Sequence, residues 1–138
     1  MIETEIIRKL NSYFGEKENI AAVYLFGSTV KGADRARSDL DLAVLFDAEP
    51  DPFQRFDTKL QIANDLENLL KTEIDVVDLR SADSFFIHQV MLDKVLIYEK
   101  DQERRVAFEV KSRREFFDRQ RFYDLYHGQV RKRLRERR

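Results

Sequence analysis

The sequence predicts an α/β (α+β) domain with a mixed β-sheet flanked by helices, and three observations carry that reading. Four short apolar runs, at residues 20–26, 39–46, 73–79 and 94–99, have the length and composition of strands. The longer segments between and around them place apolar residues at helical spacing. The alternation of the two kinds of segment favours helices packed on a sheet over an all-helical or all-strand fold. With 138 residues, 43% of them hydrophobic, the chain suits one domain with a substantial core.

Each element has its own signal. Ile2, Ile6, Ile7, Leu10 and Phe14 recur on one face of a first helix, which Gly15 punctuates. IAAVYLF, residues 20–26, ends at Gly27 as a buried strand would. TVKGADRAR reads as a turn or short helix followed by a loop, and DLDLAVLF, residues 39–46, as the next strand. Pro50 and Pro52 then break the chain. Over residues 53–71, Phe53, Phe56, Leu60, Ala63, Leu66 (or Ile62), Leu69 and Leu70 are expected on one helical stripe. EIDVVDL, residues 73–79, is a third strand; Ser81 and Asp83 can cap a helix running through Met91; KVLIYE is a fourth strand. From Asp101 onward the chain reads as one long charged helix, so a core of residues 1–100 and a helical extension of residues 101–138 are expected. The first half of that helix, to about Phe117, is expected to pack on the core. The cluster from Phe122 to Tyr126 is expected to face a partner.

The formal net charge of −1 conceals an asymmetry: RKRLRERR, residues 131–138, holds six basic residues and one acid, leaving 19 basic against 25 acidic elsewhere. An acidic body with a basic tail suits nucleic acid or an acidic protein surface, and equally a solvated helix end. Without cysteine there is neither a disulfide nor a thiolate metal site. MIETEIIRKL carries acids where a signal peptide needs basic residues, and no run reaches membrane-spanning length, so a cytoplasmic protein without membrane association is expected.

The chemistry concentrates in YLFGSTVKGADRARSDLDLAVLF, residues 24–46. Alternation along a strand gives Leu40, Leu42, Val44 and Phe46 one face, and Asp39, Asp41, Ala43 and Leu45 the other. Asp39 and Asp41 then lie roughly 6–7 Å apart along the strand. Like charges this close raise each other's pKa unless a cation lies between them. Hard carboxylate oxygens suit Mg²⁺, and two such groups on one edge can hold two ions for in-line displacement at phosphorus. Gly27 lets backbone approach a ligand closely, and Ser28 adds a hydroxyl donor. Lys31, Arg35 and Arg37, in the same loop, can neutralise phosphate. One element cradles phosphates and the next supplies the metal ligands, as phosphoryl or nucleotidyl transfer requires.

The stretch LFGS, ten residues, then DLDLAV resembles the signature of the DNA polymerase β superfamily of nucleotidyltransferases, hG-[GS] followed by h-[DE]-h-[DE]-h. Length and spacer look like its minimal nucleotidyltransferase (MNT) group. The resemblance covers about residues 20–99 and implies a polymerase β-like core with a long C-terminal helix outside the motif. It implies that Asp39 and Asp41 bind Mg²⁺ carrying a nucleoside triphosphate and that a third carboxylate completes the site; from the phosphate-binding chemistry of the loop, Gly27, Ser28, Lys31 and Arg37 are expected to contact that nucleotide, ATP.

For that third acid, EIDVVDL offers Glu73, Asp75 and Asp78. Asp75 lies inside the apolar run, where an unpaired charge is expensive, whereas Asp78, near the strand's end, can reach solvent. A buried acid demands a partner, which Mg²⁺ shared with Asp39 and Asp41 would supply, and the family pattern also points to the Asp75 position. Its expected role is general base with partial metal coordination. His88 is expected to be packed or at the surface, His127 solvated, and Tyr24 in the core.

Larger superfamily members add a domain that grips the acceptor, and no segment here reads as one. The resemblance to minimal members implies an antitoxin paired with a HEPN-type RNase toxin and AMP transfer to a toxin tyrosine. A nucleic-acid nucleotidyltransferase holding RNA through the basic tail, and a non-catalytic antitoxin that works by binding, are the alternatives. A homo- or hetero-oligomer is compatible with either.

Overall fold

A computed structural model describes residues 4–27 and 40–136. Eight elements follow in the order α1 (Thr4–Gly15), β1 (Ile20–Phe26), β2 (Leu40–Phe46), α2 (Pro52–Leu70), β3 (Ile74–Asp78), α3 (Ser84–Asp93), β4 (Val95–Glu99) and α4 (Gln102–Glu136). The strands form one sheet in the order β3-β2-β1-β4. β1 pairs antiparallel with β2 and β4, while β2 and β3 run parallel, so the sheet is mixed as the sequence predicts.

Both faces of the sheet are covered. On one, Leu40, Leu42, Val44 and Phe46 meet Val23 and Leu25, Ile74 and Val76, and the buried residues Leu10, Phe14, Ile62 and Leu66 of α1 and α2. On the other, the small residues Ala21, Ala22 and Ala43 join Tyr24 and Leu45 beneath Ile87 and Val90 of α3 and Phe108 of α4. An irregularity in the β1–β2 register between Ile20 and Ala22 lets both alanines serve the same face.

Local chemistry sets the helix boundaries. Asp51 caps α2 by accepting from the Gln54 amide at 2.8 Å while the Gln54 side chain accepts from the Asp51 amide, with Pro52 opening the helix. Asp83 caps α3 through the Phe86 amide, whereas the Ser81 hydroxyl donates to Asp78.

The predicted stripe of α2 is corrected. Ile62 and Leu66 are buried, but Phe53 is 81% exposed, and Phe56, Leu60 and Leu69 also face outward. The inward position in the first turns belongs to Arg55, whose Nε donates to the buried Asp78 carboxylate at 2.8 Å. Asp78 also accepts from the Arg80 amide and the Ser81 hydroxyl, and Arg55 donates to the Pro50 carbonyl. A buried carboxylate with its lone pairs satisfied is stable where it lies, and that pairing orients the helix.

α4 docks through a polar cluster as much as through apolar contact. The hydroxyl of Tyr24, itself fully buried, donates to Glu109 at 2.6 Å, and Lys94 and Arg105 each donate to the same carboxylate at 2.8 Å. Arg105 also pairs with Glu99. His88 stacks on Phe116 with ring centroids 3.7 Å apart. Val106, Val110 and Phe117, expected in the packed half, are exposed instead, because Arg105, Phe108, Glu109 and Ser112 take the inner side. Beyond them Phe122, Tyr123, Leu125 and Tyr126 are exposed. His127, expected to be solvated, is half-buried between the Tyr123 and Tyr126 rings. No described helix is long and apolar enough to cross a membrane.

Two outcomes follow from these ion pairs. Arg55→Ala strands the Asp78 charge in the interior and lowers stability by about 3–5 kcal/mol, read by urea denaturation. Burial disfavours ionisation of Glu109, but hydrogen bonds from Lys94, Tyr24 and Arg105 outweigh it and hold the carboxyl below its ordinary 4.5. A depressed folded-state pKa stabilises the protein above about 4.5 and loses that contribution as pH falls through the folded value. The melting temperature of the wild type therefore falls more steeply below pH 4.5 than that of Glu109→Gln.

Candidate active site

The site lies where the end of β1, the start of β2 and the start of β3 come level. Phe26 pairs with Asp41 across the antiparallel ladder, and Asp41 pairs with Asp75 across the parallel one. Register partners on adjacent strands point to the same side, so Asp41 and Asp75 emerge from one face, with backbones about 5 Å apart. Ala43 and Leu45, on that face, are buried under α3 and α4. The helices stop short of the acidic end: Asp41 is half-buried and Asp75 exposed.

Gly27 follows Phe26 with φ +79, a left-handed conformation that favours glycine. A Cβ added there would meet Asp41 Oδ2 at 2.6 Å. The backbone thus presses against the carboxylate, in contact that any side chain would close. Phe26 is held by an edge-on contact with Phe86 of α3 at 5.9 Å between centroids.

Of the residues singled out from sequence, the structure brings Gly27, Asp41 and Asp75 together. Ser28, Lys31, Arg35, Arg37 and Asp39 lie outside the described residues. No set of three potential metal-ligating side chains gathers among the described residues. Asp41 and Asp75 present hard oxygen donors on neighbouring strands, and Gly27 leaves a side-chain-free approach to them; both features fit Mg²⁺ with an attached phosphate.

Asp75 and Asp78 stand in the opposite surroundings to those the sequence predicts. The acid in the middle of the apolar run is exposed, and the one at the strand's end is buried. Ile74, Val76 and Asp78 share the α2 side of the sheet, where Arg55 neutralises the acid. Strand alternation places Asp78 on the core side; what the sequence leaves unmarked is that Arg55 comes from a helix 23 residues away. The cluster of Tyr24, Lys94, Arg105 and Glu109 is equally unmarked. Its only local trace is the Arg105–Glu109 spacing, typical of helix ion pairs.

Gly27→Ala is expected to cost about 1–2 kcal/mol for the left-handed backbone and to displace the Asp41 carboxylate. Thermal denaturation reads the first effect; a crystal structure of the variant reads the second as a changed Asp41 rotamer.

The Polymerase beta, Nucleotidyltransferase family matches residues 8–103. The protein adenylyltransferase MntA of Shewanella oneidensis is 34% identical over 89 residues, which span 64% of this chain and 59% of that protein's length. A crystal structure of a toxin–antitoxin with AMP-PNP contains a chain 26% identical with a TM-score of 0.71, the match covering 94% of this chain and 98% of the other. A chain in the structure of a tri-AMPylated Shewanella oneidensis HEPN toxin in complex with an MNT antitoxin has the same fold, with 23% identity, a TM-score of 0.69 and the same coverage. A mixed four-stranded sheet with its helices, the long C-terminal helix included, is thus an arrangement shared with solved relatives, and the chain belongs to the polymerase beta nucleotidyltransferase family.

Proposed function

We propose that this chain is a Mg²⁺-dependent protein adenylyltransferase that moves AMP from ATP to a tyrosine hydroxyl of a partner HEPN-type toxin, and so acts as an antitoxin in the cytoplasm. The observation that carries the reading is the meeting of Gly27, just past the end of β1, with Asp41 on β2 and Asp75 on β3. The adenylyltransferase name of the Shewanella relative and the nucleotide analogue in the toxin–antitoxin structure support it.

In this reading Asp39, Asp41 and Asp75 are the metal-binding and catalytic acids. Gly27, Ser28, Lys31 and Arg37 hold the triphosphate: Gly27 by leaving room for it, Ser28 by donating, and the two cations by neutralising charge. When bound, Mg²⁺ (two ions for two-metal chemistry) supplies charge neutralisation at the α-phosphate and the leaving group. Asp75 accepts the acceptor hydroxyl's proton. The hydroxyl oxygen then bonds to the α-phosphorus, the bond from that phosphorus to the α–β bridging oxygen breaks, and pyrophosphate leaves with the electron pair. The exposed aromatic stretch Phe122–Tyr126 and the basic end of α4 are assigned to partner docking.

Incubation with α-labelled ATP, Mg²⁺ and the product of the neighbouring gene, expected to be a HEPN-type protein, tests the reading. Label is expected on a toxin tyrosine, with the rate reduced at least about 10²-fold by Asp39→Ala, Asp41→Ala or Asp75→Ala. Equal labelling by wild type and these variants, or none at all, contradicts it. Label on RNA instead, lost with salt and on removal of residues 131–138, would favour a nucleic-acid acceptor.

A further inference from the structure

β3 is an edge strand of the described sheet, and among the described residues no further strand lies on its outer side. The ladder to β2 uses the Glu73 carbonyl, which accepts from the Leu40 amide, and the Leu79 amide, which donates to Val44. In a parallel ladder successive residues turn their backbone groups to opposite sides. Residues 73, 75, 77 and 79 therefore face β2, and residues 74, 76 and 78 face away. The outward Ile74 amide is met by the Glu67 side chain at 3.2 Å. Two residues on, no described residue meets the outward amide of Val76. Alongside it runs a groove of about 350 Å³ lined by Phe56 and Lys59 of α2, by Val76 and Val77, and by Ser81 and Ala82. Phe56 is 54% exposed, although it stands where a sequence-derived stripe would bury it.

An open backbone edge beside a groove with an apolar Phe56–Val76 wall and a polar side at Lys59, Asp78 and Ser81 is the equipment for adding an extended segment as a further strand. The groove begins one residue along β3 from the candidate active site, on the opposite face of the strand, because Val76 follows Asp75. A residue paired opposite Asp75 projects from the same face, with Cβ atoms about 5 Å apart. A tyrosine there would carry its hydroxyl past the carboxylate assigned as base. We propose that the protein acceptor binds as an extended segment along the outer edge of β3, with an apolar side chain in the Phe56–Val76 groove. This deepens the adenylyltransferase reading and rests on it. It also supplies an acceptor subsite from within the core.

Hydrogen exchange of the full chain, measured alone and with the product of the neighbouring gene plus AMP-PNP and Mg²⁺, tests the proposal without turnover. The Val76 amide is expected to exchange at least tenfold more slowly in the complex. Phe56→Asp, a change at an exposed position, is expected to abolish that protection and lower kcat/KM for the protein acceptor at least tenfold, with AMP-PNP affinity unchanged. A complex that leaves Val76 exchange unaltered, protection of Val76 by single-stranded RNA but not by protein, or wild-type transfer by Phe56→Asp overturns the proposal. If wild-type protein binds no AMP-PNP, the adenylyltransferase reading fails separately, and Val76 protection still decides whether the edge is occupied.

Discussion

Asp41 and Asp75 stand abreast on strands held together by backbone hydrogen bonds, and neither strand can shift without breaking that ladder. Carboxylates on paired residues of adjacent strands repel one another unless a cation lies between them. The chain keeps both, at an end of the sheet that the described residues of α3 and α4 leave uncovered. A cation between carboxylates turns such repulsion into attraction, and a divalent ion has charge left for phosphate. Much of the molecule serves to hold that end of the sheet in register. β2 is flanked by strands on both sides and buried on both faces from Leu42 to Phe46. Gly27 closes the β1 side of the site in contact with Asp41.

The supporting layers divide the work. The α1–α2 face is a conventional apolar core, reinforced where Arg55 meets Asp78. The α3–α4 face is built on alanines, which let helices lie close, and is fastened by the Tyr24–Glu109–Lys94–Arg105 cluster. α4 runs on from this anchorage with its later aromatic residues exposed. Over 35 residues such a helix is roughly 50 Å long, far more than the sheet beneath it requires.

Much of this was legible in the sequence. The four strands and their alternation could be read from Leu40, Leu42, Val44 and Phe46, because strands buried on both faces leave unbroken apolar runs. The glycine before the loop and the paired acids were visible as a motif with a physical rationale. Less legible were features that depend on partners distant in sequence. The burial of Asp78 and exposure of Asp75 follow from which face α2 covers and from an arginine on that helix. The outward turn of Phe53 and Phe56 has the same origin. In α4, Val106 and Val110 looked like core and are exposed, because the inner side is specified by a polar network that hydrophobic periodicity cannot register.

The most direct measurement of the central claim is a titration of Mn²⁺, in the presence of AMP-PNP, into wild type, Asp41→Asn, Asp75→Asn and Asp78→Asn, with folding of each checked by circular dichroism. If Asp41 and Asp75 share a cation, each of those substitutions weakens Mn²⁺ binding at least tenfold, while Asp78→Asn lowers stability and leaves the affinity of the folded protein unchanged. Wild-type Mn²⁺ affinity in folded Asp75→Asn, or a folded Asp78→Asn that has lost the ion, would contradict it.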